Sequence, residues 1–226
     1  MGTDKIKKRA GLVAQLLFSL SLFSFSCTDD ETLYLSKEFS LPVEVTPVKE
    51  AYKVGDTLKI SILIPKLMSD RENTVQYLFE DYDFDAFLGI RELKDKSKTV
   101  TEQPGANNKI IILNKIGEIK PFSQAGNKIF LSFNGTEYKL SSIIIPLEPG
   151  IYNLVFSTGL KLKNAELINP PSNYEKIVAG VGPTFFSVNR GIDINQNLIT
   201  TYTSTKLDLP DSIDWAKPIF SFQVIR

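Results

Sequence analysis

Short runs in which apolar and polar residues alternate, broken by Gly, Pro and Asn, recur along most of the chain. Leu58, Ile60, Ile62 and Ile64 fall on one face of a strand, with Tyr52 to Thr57 as the turn leading in and Pro65 as the stop. Leu41 to Thr46 also alternates, and Pro42 predicts an edge or a strand start there, because proline cannot donate to a ladder. Lys109 to Leu113 is continuously apolar after its lysine, which predicts a strand buried on both faces. Ile129–Phe133 and Thr136–Leu140 flank Asn134-Gly135, a pair that tolerates the positive φ angles of a type I′ hairpin. Ile143 to Ile145, Ile151 to Ser157, Phe185 to Val188 and Ile219 to Ile225 continue the series. Helix is expected only in two short places, Lys66 to Tyr77 and Asn195 to Ser204.

Closely spaced strands with turn signals and little helix predict an all-β fold, an antiparallel β-sandwich, with a small closed β-barrel as the alternative. Tyr52 to Ile60 has the form y-x-v-G-D-x-l-x-i. It resembles the phrase that opens a core strand in immunoglobulin-like domains of exported bacterial proteins. That resemblance implies an immunoglobulin-like sandwich. The polar stretches 93–108 and 164–175 read as solvated connections, and strand-like runs on both sides of each favour one domain over residues 39–226.

The amino terminus reads differently. Lys5, Lys7, Lys8 and Arg9 precede Leu12 to Phe25, 14 residues without a charge. A membrane-spanning helix needs about 20 apolar residues, so this stretch fits the apolar part of a secretory signal over residues 1–26. The chain's one cysteine, Cys27, follows directly. Ser24-Phe-Ser-Cys27 resembles a bacterial lipobox, departing from it where Ser24 stands in place of the usual leucine. The resemblance implies cleavage before Cys27, acyl chains on the new amino-terminal cysteine, and anchorage of the chain to a membrane. Thr28-Asp-Asp-Glu31 resembles the signal that sends lipoproteins of Bacteroidota-type bacteria to the outer face of the outer membrane, with a periplasm-facing anchor as the alternative, and residues 27–38 are expected to form an acidic tether. Two or more acyl chains, at about 0.8 kcal/mol per buried methylene, suffice to hold a soluble domain on a membrane.

Composition narrows the chemistry. Lysine and arginine number 26 against 26 acids. Loss of residues 1–26 removes four cations and Asp4, leaving 22 cations and 25 anions, a net of −3. Such a surface offers no basic patch for nucleic acid. There is no histidine, which removes the usual base of a serine nucleophile and any imidazole metal site. No G-x-S-x-G is present, and Gly180-Val-Gly182-Pro183 lacks the third glycine of a nucleotide-binding turn.

Asp81, Asp83, Asp85 and Glu92 occupy positions 1, 3, 5 and 12 of a stretch that resembles an EF-hand calcium loop. Ala86 stands where that loop needs glycine, and Gly89 supplies no ligand at position 9. The competing reading, which the alternation favours, is a strand with Tyr82, Phe84, Ala86 and Leu88 toward the core and the three aspartates in water. Trp215 reads as a core plug beside the last strand, with ligand stacking as its alternative. Asp56-Thr57-Leu58 and Asp211-Ser212-Ile213 resemble the O-glycosylation tripeptide of the same bacteria, and both read equally as turns before strands. The sequence therefore points to no catalytic residue and no cofactor. It predicts a non-catalytic, lipid-anchored surface protein that binds or scaffolds, with a glycan or a protein as partner and the membrane as its support. A surface hydrolase and an appendage subunit that exchanges its last strand are the alternatives.

Overall fold

The computed structural model describes residues 32–70, 73, 75–159, 165–168, 176–189, 196–203 and 218–226. Cys27, Trp215 and the tripeptide Asp211–Ile213 lie outside them. By internal contacts the chain divides into two units. One comprises Met1–Leu33 and Pro171–Val178, and its described residues are strand. The other comprises Tyr34–Pro170 with Ala179–Arg226.

Alternation becomes strand wherever one face can be buried. In chain order the strands are β1 (Thr32–Thr46), β2 (Ala51–Lys53), β3 (Leu58–Pro65), β4 (Leu67–Ser69), β5 (Gln76–Leu78), β6 (Ala86–Glu92), β7 (Ile110–Ile116) and β8 (Glu118–Pro121). They continue as β9 (Gly126–Phe130), β10 (Ser132–Phe133), β11 (Glu137–Pro146), β12 (Gly150–Thr158), β13 (Glu166–Ile168), β14 (Lys176–Val188) and β15 (Ile219–Ile225). Among the described residues the α-helix α1 (Gln196–Tyr202) falls within the second of the two expected helical stretches. The first, Lys66 to Tyr77, is instead the hairpin β4–β5, whose Met68 and Tyr77 point inward, a period-two pattern rather than a helical one.

The first large sheet has the order β10-β11-β3-β1-β14, with β7 also paired to β11. The second has the order β2-β15-β12-β6-β9-β8, and β13-β5-β4 forms a small third sheet. Neither large sheet closes on itself, so the fold is a β-sandwich and not a barrel. Ladders with a defined register are antiparallel, apart from β2, which joins β15 in parallel. The core lies between the sheets. Leu58, Ile60, Ile62 and Ile64 of β3 meet Leu88 and Ile90 of β6 and Leu154 and Phe156 of β12 in one buried cluster. On the outer side of β12 and β15, Leu198 and Ile199 of α1 pack with Leu93, Val100 and Ile151 in a second cluster.

Three expectations are corrected here. Pro42 lies inside a long strand, but the ladder from β1 to β3 covers only Val43 to Thr46 and begins just after the residue that has no N–H. The apolar run at 110–113 is not covered on both faces. β7 is an edge strand paired to β11 alone among the described residues, and Ile111 and Leu113 stand exposed. The Asn134 hairpin is shorter and its turn differs. Ser132 and Phe133 pair with Lys139 and Tyr138, while Ile129 and Phe130 belong to β9 in the other sheet. Gly135 alone takes a positive φ (+93°), and the Asn134 side chain accepts from the N–H groups of Thr136 and Glu137 at 3.0 Å each. An asparagine side chain thus supplies what a second left-handed residue would supply in a type I′ turn. β1 also takes in Thr32 to Glu38, part of the stretch expected as a tether.

Candidate functional site

Leu131 links β9 in one sheet to β10 in the other, and this crossing leaves a gap at the edge of the sandwich. The segment Asp81 to Asp85, which leads into β6, closes one side of it. The result is a cavity of about 230 Å3 lined by Asp81, Tyr82, Asp83, Phe84, Ala86, Ile129, Phe130, Leu131, Phe133 and Tyr138.

The rings form a continuous packing chain. Phe133 stacks on Tyr138 with centroids 4.5 Å apart, Phe84 meets Tyr138 edge-on at 5.1 Å, and Tyr82 meets Phe84 at 4.9 Å. Phe79 then joins Tyr82 and Phe84 to the core ring of Phe39. Each such pair adds about 0.5–1.5 kcal/mol beyond burial, so the cavity wall is braced from the core outward. The Tyr138 hydroxyl donates to the Phe79 carbonyl at 2.9 Å and accepts the Tyr82 N–H at 2.6 Å, which fixes the Asp81–Asp85 segment against β11. Burial raises its pKa, and the charges of Asp81 and Glu80 push the same way.

The acid-rich segment is not the strand expected from its alternation. Asp81 and Asp85 take positive φ values, +49° and +46°, a region aspartate tolerates better than most residues. The apolar half of the expectation holds, with Phe84, Ala86 and Leu88 buried and Tyr82 half-buried. Asp81 and Asp83 are exposed at the cavity rim, whereas Asp85 is turned inward and buried. Lys128 of β9 meets Asp85 at 3.0 Å and lies 5.5 Å and 5.9 Å from the ring centres of Phe130 and Phe87. That cation, distant by 43 residues in sequence, compensates the buried carboxylate. Its own pKa is raised, first by the hydrogen bond to Asp85.

Glu92 does not join the other three acids. It ends β6, and an extended strand of seven residues carries it about 20 Å from Asp85. There it is buried and engages Lys94 at 2.7 Å and Lys109 at 3.2 Å, and Lys109 also reaches Glu148 at 2.6 Å. Tyr152 donates to the Glu148 carbonyl at 3.0 Å, and its pKa is pushed up to about 12 by burial first and the Glu92 charge second. Among the described residues, no group of three or more acids and cysteines is placed to hold a metal ion. The polar stretch 93–108 is organised around buried Gln103, whose side chain accepts from the N–H groups of Lys94 and Asp95 and donates to the Asp95 carbonyl.

No protein-family model matches the chain, and no curated protein matches it. Among solved structures, the human F-spondin reeler domain is similar at 12% identity and a TM-score of 0.29, over 69% of this chain and 96% of that one. A type II cohesin dyad from the ScaA scaffoldin of Acetivibrio cellulolyticus is similar at 10% identity and 0.23, over 66% and 46%. A conjugative transposon lipoprotein from Bacteroides eggerthii is similar at 14% identity and 0.18, over 57% and 92%. At these scores no property of those proteins carries over to this chain.

The aromatic cavity is the feature that reading the sequence missed. Phe130, Phe133 and Tyr138 look like hairpin residues and Tyr82 and Phe84 like a strand. The density of rings in two short stretches was the one available signal. Their convergence depends on where the chain changes sheets.

Proposed function

We propose that this chain is a lipid-anchored, non-catalytic binding protein of the outer membrane, facing the cell exterior. Residues 1–26 serve as its signal, Cys27 as its acylated anchor and residues 39–226 as a displayed sandwich domain. The aromatic cavity is its ligand site. One observation carries the binding reading: a cavity with five ring-bearing walls, braced from the core and open beside two exposed carboxylates. Rings held rigid lose little freedom when a ligand stacks on them, which favours binding. The absence of histidine from the sequence supports binding over hydrolysis.

Glycan, peptide and small-molecule arrays probed with the full chain and with Phe130→Ala test this. Phe130 is exposed, so its truncation leaves the core intact. At least one ligand class should bind the natural chain and lose about tenfold or more in affinity with the variant. Binding that is indifferent to Phe130, or turnover of a bound ligand, would overturn the proposal.

A further inference from the structure

We propose that the cavity receives an alkylammonium group, its rings facing the cation and its rim carboxylates balancing the charge. This rests on the reading of the cavity as the ligand site. The lining residues include two carboxylates, Asp81 and Asp83, and no cation. Lys128, beside the cavity wall Phe130, is engaged by Asp85 at 3.0 Å and also feels the charge of Asp83. Aromatic faces carry the negative part of the ring quadrupole and attract cations, more so where water is partly excluded.

Among the described residues the same combination already occurs at Lys128. The Lys128 ammonium lies 5.5 Å from the centre of Phe130, a wall of the cavity, with a carboxylate as its partner. A ligand ammonium inside the cavity would meet rings and rim acids in the same relation. Electrostatics agree with the geometry: burial raises the Tyr138 pKa first, and the negative charges of Asp81 and Glu80 add to it.

A sugar fits less well. Sugar hydroxyls need donors as well as acceptors, and carboxylates only accept. The Tyr138 hydroxyl is already engaged both ways, with the Phe79 carbonyl and the Tyr82 N–H. Size points the same way, for sites that take drug-sized ligands measure about 300–1,000 Å3. A cavity of about 230 Å3 suits one headgroup or one side-chain end. The ammonium can be that of a free amine or that of a lysine on a partner.

Saturation-transfer NMR on the full chain in detergent separates these cases. The probes are choline with its neutral twin 3,3-dimethylbutan-1-ol, and a glycyl-lysyl-glycine peptide with its norleucine counterpart. The charged member of at least one pair should bind about tenfold more tightly than its twin. The pair with the larger ratio identifies the source. Asp81→Asn combined with Asp83→Asn should erase the preference while the chain still folds. Asparagine keeps the left-handed backbone at 81 and the acceptor that Asp83 offers the Asp85 N–H. Equal binding of charged and neutral twins, tighter binding of a monosaccharide, or displacement of choline by equimolar calcium would overturn the ammonium assignment and leave the binding reading standing. Loss of every ligand on the arrays would overturn both.

Discussion

Asp85 keeps about a tenth of its side chain exposed, and Lys128 about three tenths, so the pair has given up much of its water. Removing one partner strands the other. Lys128→Met should therefore destabilise the fold by about 2 kcal/mol, and adding Asp85→Asn should recover part of the loss. Urea midpoints of the two variants against the natural chain measure both. Burial leaves a second signature in the tyrosines. Tyr52, Tyr138 and Tyr152 all have pKa values raised chiefly by desolvation, Tyr152 to about 12 against an ordinary value near 10. A raised tyrosine pKa means that the folded state holds its proton more tightly than the unfolded chain does. Its stabilising effect is complete below pH 10 and is lost as pH rises toward 12. Denaturant midpoints should fall across that window, and Tyr152→Phe should flatten the fall without altering the profile near neutrality.

Strand pairing explains why two glycines with similar backbones differ in importance. Gly117 (φ +68°) joins β7 in one sheet to β8 in the other, and a Cβ there would lie 2.6 Å from the Phe130 carbonyl oxygen. Gly135 (φ +93°) turns the β10–β11 hairpin, and a Cβ there meets nothing within 4 Å. Gly135→Ala should cost about 1 kcal/mol, from backbone strain alone. Gly117→Ala adds a clash with backbone that cannot move cheaply, and its thermal midpoint should drop distinctly further. Parity on β7 also has a visible cause. The Leu147 N–H donates to the Lys109 carbonyl, so by alternation the backbone groups of Ile111 and Leu113 point to β11 and those of Ile110 and Ile112 point off the sheet. The last strand, by contrast, lies between β12 and β2.

For the molecule as a whole, the proposed anchor and the proposed cavity are separable. The anchor depends on one thiol and the cavity on a packed sandwich. Cys27→Ser should move the chain from the membrane fraction to the soluble one, with the thermal midpoint and ligand binding of the domain unchanged. Persistence of that variant in membranes would remove the anchor from the proposal and leave the domain's chemistry untouched. With a net charge of −3 after removal of residues 1–26, no general basic attraction to anionic lipid compensates for a lost acyl chain.

Period-two alternation is local information, and it sufficed for what local information can fix. Leu58 to Ile64, Ile143 to Ile145, Ile151 to Ser157 and Ile219 to Ile225 read as strands and are strands, and the all-β class follows from their number. Alternation says which residues share a face but not whether a neighbouring strand covers it, which is why Lys109 to Leu113 read as doubly buried and stands at an edge. Nor does it say where an acid will meet its cation. Asp85 is buried because Lys128 arrives from another strand, and the cavity exists because the chain changes sheets at Leu131 and brings Phe130, Phe133 and Tyr138 to Tyr82 and Phe84. Those meetings join residues 43 to 56 positions apart, and register and crossing, set by the packing of both sheets at once, decided them.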